Sequence, residues 1–172
     1  NASKQPKEVW LADLLGELMM EGTTTRSATE VSEQAAEMGG SVNIGVGADT
    51  ATVAADALAE HTARMVQLVA DVASNPAMPE SELPRLKADM LRNLSIAQSQ
   101  PQQIAMEKFR STMYVDHSYG RIFPTAEMVQ GYTVAQARDY YGRTFGPKRA
   151  RLYIAGMFDG AEVEAAGRKA FS

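Results

Sequence analysis

Two carboxylates one helical turn apart are the first residues of this chain that could do chemistry. Asp13 and Glu17 stand at i and i+4 in a segment of helical apolar spacing, so a helix places both on one face. Such a pair could take up protons or hold a hard cation such as Mg²⁺ or Ca²⁺ weakly, but those ions want roughly six or more oxygens. The other reading of the pair is a solvated face, or acids matched by a neighbouring base. The two histidines add little to either reading. His61 falls in a helical pattern with no partner at metal spacing, and His117 falls in the loop Asp116-His117-Ser118-Tyr119-Gly120. With no cysteine in the chain, disulfides and thiolate zinc sites are excluded and the redox compartment stays open.

The elements that must position these residues follow from the apolar periodicity. Leu11, Leu14, Leu15 and Leu18 give a first helix over about 9–20, stopped by Gly22. Ser27 and Glu30 form a capping box that opens a second helix, ended by Gly39-Gly40. Over 41–54 the period falls to two. Val42, Ile44 and Val46 share one face, Asn43, Gly45 and Gly47 the other, and Gly47-Ala48-Asp49 turns a hairpin. A long helix then carries Leu58, Met65, Leu68, Val69 and Val72 and closes at Asn75-Pro76. The next carries Leu83, Leu86, Met90, Leu94 and Ala97, with Pro84 in its first turn, where no donor is lost. Pro101 starts a helix to about residue 114. A second capping box, Thr133 with Gln136, heads a helix that stops at Gly146-Pro147. Residues 149–156 alternate as a third strand with Leu152 and Ile154 inward, and Asp159 with Glu162 caps a last helix. The layout is α+β, a single domain over residues 1–172 with helices packed on one face of a mixed β-sheet. Three strands are few for so many helices, so further strands are expected at the N-terminal side, and Asn1-Ala2-Ser3 reads as the remnant of a tag.

Composition narrows the partners. The 172 residues carry 17 basic and 21 acidic groups, with no basic run or stripe, which argues against nucleic acid. No apolar stretch approaches the roughly 20 residues of a membrane span. The ten methionines fit core packing better than a cofactor pocket.

The run from Leu11 to Thr23 resembles the signature of M16 peptidases, the insulinase, pitrilysin and mitochondrial-processing-peptidase-like family, in which H-x-x-E-H lies on a helix ending in Gly-Thr. The likeness continues through Gly39-Gly40-Ser41-Val42-Asn43, Asn75-Pro76, His117-Ser118-Tyr119-Gly120, residues 140–147 and residues 154–159, in the family's order and spacing. Ser118 departs from the family's proline in that loop.

Aligned on Gly22-Thr23, the resemblance puts Asp13 and Glu17 where the family has its zinc histidines, Gly16 at its general-base glutamate and Asn93 at its third ligand. A catalytic zinc needs about three N/O/S ligands and an open position for water, and a base must take that water's proton. Gly16 cannot, and none of the ligand positions keeps its type. The resemblance therefore implies a degenerate domain with no catalytic residue, no metal and no cofactor of its own, zinc being expected only in a partner half. It implies an unfolded peptide substrate captured by strand addition along Asn43, Ile44, Gly45, Val46 and Gly47, and a dimer-like assembly enclosing a chamber. The two glycines equally suit a packed helix or a bulge. Two other functions stay open: a metalloendopeptidase with an atypical Asp13/Glu17 site, and a structural core-type subunit. Either bacterial compartment, periplasm or cytoplasm, suits the composition.

Overall fold

The apolar stripe of the first helix is the axis of the molecule, a computed structural model that describes residues 8–115 and 117–171. Helix α1 (Leu11–Met20) buries Leu11, Leu14, Leu15, Leu18 and Met19, each at 1% exposure or less. It starts two residues later than its periodicity suggests. Trp10 takes a left-handed conformation (φ 64°) while its indole N–H donates to the Ile122 carbonyl at 3.0 Å, and that anchor turns the chain before the helix begins. At the other end Gly22 sits at φ 109°, and a Cβ there would lie 2.6 Å from the Arg26 carbonyl oxygen, so only glycine makes this stop.

Helix α2 (Ala28–Glu37) begins with the expected capping box between Ser27 and Glu30. The strands β1 (Ser41–Val46) and β2 (Ala51–Asp56) then pair antiparallel from Ser41 opposite Asp56 to Val46 opposite Ala51, with a turn closed by Gly47 N–H to Thr50 carbonyl at 2.8 Å. At the base of the hairpin Gly40 allows close backbone approach, since a Cβ there would come 1.7 Å from the Asp56 carbonyl oxygen.

Helix α3 (Thr62–Ser74) supports the hairpin, and α4 (Leu83–Ser99) lays Leu86 and Met90 against α1. Gln100 alone separates α4 from α5 (Pro101–Met113), ending one and capping the other. The 117–120 segment contains a short 3₁₀ turn rather than plain loop. Helix α6 (Ala126–Gly131), headed by a Thr125 cap, was not evident from periodicity because it is under two turns long. Helix α7 (Val134–Thr144) has the expected box of Thr133 and Gln136, and α8 (Gly160–Ala170) is capped by Asp159.

Two large cores result. One joins α1, α4, α6 and α7; the other joins α2, the hairpin and α3, and Ile44 touches both. A smaller cluster of Val66, Val163 and Ala166 lies between α3 and α8. The architecture is α+β, with a two-stranded sheet among the described residues. The third strand expected over 149–156 is not formed. Ile154 packs inward against the small cluster, but Leu152 is 47% exposed and the segment pairs with no other strand among the described residues. Alternation alone does not make a strand where no hydrogen-bonding edge lies beside it. The suspected tag remnant, residues 1–3, lies outside the described residues.

Candidate functional site

Helix α1 carries Asp13, Gly16 and Glu17, and the leucine stripe that buries its opposite face decides how each is presented. Asp13 and Glu17 are exposed, whereas Gly16 is buried against β1. A Cβ at Gly16 would meet Val46 Cγ2 at 3.0 Å and Ile44 Cγ2 at 3.5 Å. The inward side chains of β1 thus occupy the space into which a longer residue at 16 would have to grow.

Asp13 keeps exposed surface yet stands among enough protein to desolvate it. Burial raises its carboxyl pKa above the ordinary aspartate value, opposed by the hydrogen bond of its own backbone N–H. Its neighbourhood was invisible in the sequence. Tyr132, from the turn between α6 and α7, gives its hydroxyl proton to the Val9 carbonyl, and its pKa is pushed up to about 12, by burial first and then by the charges of Glu8 and Asp13. Tyr140 on α7 is raised for the same reasons, with Arg143 opposing. Arg143 in turn binds Glu8 at 3.0 Å and Asp139 at 2.8 Å, its guanidinium 5.5 Å from the Tyr140 ring centre. These residues come from positions more than a hundred apart, and no local pattern marks them.

Asn93 is exposed on α4, off the stripe of Leu86, Met90 and Leu94 that faces the core. Glu21, one turn beyond Glu17, is engaged by Arg85 of α4. Among the described residues, no group of three or more His, Cys, Asp or Glu side chains is gathered where one metal ion could be held. The residues present do not fit a catalytic zinc: at the four positions stand two exposed acids, a buried glycine and an amide. His61 lies at the start of α3 beside Glu60 at 3.6 Å, and the exposed His117 accepts the Tyr119 backbone N–H at 3.2 Å, so neither histidine joins α1.

Among the described residues, the β1 strand is paired on one side only, with β2. Asn43, Gly45 and Gly47 lie exposed on its outer face as the alternation requires, while Val42, Ile44 and Val46 turn inward. No atom lies within 4 Å of a Cβ placed at Gly45. Asn43 Nδ2 donates to Ser41 Oγ at 3.2 Å, and that hydroxyl donates to Asp56 at 2.8 Å, fastening the strand base across the hairpin. At the tip, the Tyr119 hydroxyl meets both Asp49 carboxylate oxygens at 2.6 Å, and its ring packs edge-on against Tyr114 at the end of α5.

Comparison with known proteins places this arrangement. The family model for insulinase, peptidase family M16, matches residues 4–125. An uncharacterized zinc protease of Rickettsia bellii is 25% identical over 170 residues, covering 98% of this chain and 41% of the relative. A Bacillus subtilis zinc protease, also uncharacterized, is 25% identical over 147 residues and 36% of its length. Among solved structures, a Helicobacter pylori protease superposes with a TM-score of 0.88 at 18% identity over 96% of this chain and 40% of its own. A structure described as a peptidase M16 inactive domain from Pseudomonas fluorescens gives 0.71 at 21% identity, over 80% of this chain and 34% of that one. The chain therefore spans well under half the length of the relatives it matches.

Proposed function

Because this chain belongs to the insulinase family of peptidases, M16, we propose that it is a non-catalytic domain of a longer M16 half, contributing substrate binding and chamber closure beside a zinc-bearing half. One observation carries the reading. The helix that should present two ligands and a base presents Asp13, Glu17 and Gly16, and β1 fills the space at Gly16 with Val46 and Ile44. Gly16 offers no carboxylate to take a proton from a metal-bound water, and Asp13 and Glu17 by themselves fall short of the three ligands a catalytic zinc needs.

The chain's own contribution is the open edge of β1. Extended peptide adds to such an edge through main-chain hydrogen bonds, largely independent of sequence, which suits an unfolded substrate. Asn43, Gly45 and Gly47 keep the outer face low, while Ile44 packs on both cores and Val46 lies against Gly16 of α1. The likeness to a protein named an inactive M16 domain supports this reading.

The test mixes the full-length protein with an intact H-x-x-E-H partner half on one unfolded peptide. Cleavage should rise at least about tenfold over the partner alone, and a chelator should abolish it. Chelator-sensitive cleavage by the lone protein, lost in Glu17→Gln, would instead make it an enzyme with a carboxylate metal site. Absence of any gain with an intact partner would point to a structural subunit.

A further inference from the structure

The two ends of the hairpin are held by different means. At the base, the Ser41 hydroxyl donates to Asp56 and Gly40 lets the backbones close, while along the middle Ile44 packs on both cores and Val46 lies against Gly16. Residues 47–50 at the tip are all exposed, so burial does little to fix them. A two-stranded hairpin is marginal in water without outside support. The tip has its turn bond, Gly47 N–H to the Thr50 carbonyl, and a second bond that comes from 70 residues away, where the Tyr119 hydroxyl meets both carboxylate oxygens of Asp49 at 2.6 Å.

Tyr119 is itself closely confined. Gly120 beside it is buried, and a Cβ there would come 2.4 Å from the Tyr114 carbonyl oxygen, so the turn over 118–120 seats on the end of α5 at a distance that only glycine allows. The Tyr119 backbone N–H donates to His117 Nδ1 at 3.2 Å, and its ring stands edge-on to Tyr114 and to His117, with centres 5.8 Å and 4.6 Å away. A phenol restrained by two rings gives up little side-chain freedom in making a bond, and a carboxylate is a strong acceptor for it. The bond to Asp49 raises the Tyr119 pKa, so the phenol keeps the proton it donates.

Strand addition needs a straight row of main-chain groups, and any ordering of that row left until the peptide arrives weakens binding. Given the reading of β1 as the substrate edge, we propose that Tyr119 is a positioning residue for it: by fixing Asp49 it holds the hairpin tip, and with it Gly45, Val46 and Gly47, in the extended form that an incoming peptide pairs with. Tyr119 acts through Asp49 and touches no peptide in this role.

The experiment measures binding of the full-length protein to immobilised reduced, carboxymethylated α-lactalbumin, a permanently unfolded chain, with deuterium exchange of the hairpin amides read alongside. Tyr119→Phe should weaken binding about fivefold and make exchange over residues 45–50 roughly tenfold faster, with Tm and exchange in α1 and α3 unchanged. Asp49→Ala should do the same, Asp49→Asn, which keeps an acceptor for the hydroxyl, should retain most of the affinity, and the double variant Tyr119→Phe, Asp49→Ala should lose no more than either single one. In the wild type, bound lactalbumin should slow exchange over residues 42–47. If it does so and Tyr119→Phe still binds with wild-type affinity, or if the two single losses add, the positioning role is overturned while β1 stands as the substrate edge. If bound lactalbumin leaves exchange over 42–47 unchanged, the reading of β1 fails, and the role given to Tyr119 fails with it.

Discussion

On the β1 side of the hairpin, α1 brings Leu14, Leu15 and Leu18 to 1% exposure or less and leaves only 3.0 Å between a Cβ at Gly16 and Val46. On the β2 side, Ala55 stands exposed although it points toward the core, and Leu152 is 47% exposed. The same two strands thus face a finished core on one flank and an unfinished one on the other. Packing is complete where α1 covers the hairpin, and open where β2 faces residues 152–158 across a cleft.

The largest effect that can test this contrast is truncation at its packed end. Leu14→Ala should cost about 2–5 kcal/mol in urea unfolding of the full-length protein, because a fully buried leucine leaves a cavity that α4 and α7 cannot close. Leu152→Ala should cost under about 1 kcal/mol if its flank stays open, and about 2 kcal/mol or more if a strand covers it. Equal losses at both positions with an open cleft would erase the difference between the flanks.

Next in size is placing a glutamate at Gly16. Gly16→Glu should destabilise by about 1–3 kcal/mol through overpacking against β1. Adding Val46→Ala should recover most of that loss, and a double-mutant cycle measures the coupling. Additive effects would mean that the two residues do not compete for space. Neither variant should bind stoichiometric zinc by elemental analysis, since Asp13, Glu17 and Asn93 are unchanged.

How much of this was legible in advance depends on whether the signal is local. The leucine stripe of α1, both capping boxes and the inward set Val42, Ile44 and Val46 could be read directly, because each is fixed by residues within a turn or two of one another. The alternation at 149–156 was equally clear and produced no strand, because pairing requires an edge from another element. The start of α1 was displaced by Trp10, whose partner Ile122 lies across the molecule. The i, i+4 spacing brought out Asp13 and Glu17 as a pair on α1, but not the grouping of Asp13 with Glu8, Tyr132 and Tyr140, which depends on α6 and α7 docking against α1.

Smaller effects separate the two ends of β1. Gly40→Ala should destabilise by about 1–3 kcal/mol, since the clash is with the Asp56 backbone, whereas Gly45→Ala should stay within about 0.5 kcal/mol. If β1 captures peptide, Gly45→Ala should nonetheless weaken binding, read as a higher KM in the mixed assay at unchanged thermal stability. Unchanged KM would remove Gly45 from the substrate edge.

The smallest effect expected is from Asp13. Burial raises its pKa in the fold, so the folded protein holds that proton more tightly than the unfolded chain. This contribution favours folding at low pH and declines as pH rises from the unfolded value near about 3.9 through the folded one. Asp13→Asn should flatten that decline in unfolding curves taken from about pH 3 to about pH 7. An unchanged slope would place Asp13 in ordinary solvent.

The junction at Gln100 gives α5 the mechanics of a lever. Thirteen residues at about 1.5 Å each make an arm of roughly 20 Å, so a rotation of about ten degrees at that joint carries the far end by about 3 Å. The far end is not loose: Tyr114 leans on Tyr119, and Tyr119 is fastened to Asp49 at the hairpin tip. Pivot, arm and tether are thus joined in one line of contacts from Gln100 to the hairpin tip, and Tyr119→Phe would remove the hydroxyl that ties the arm to Asp49.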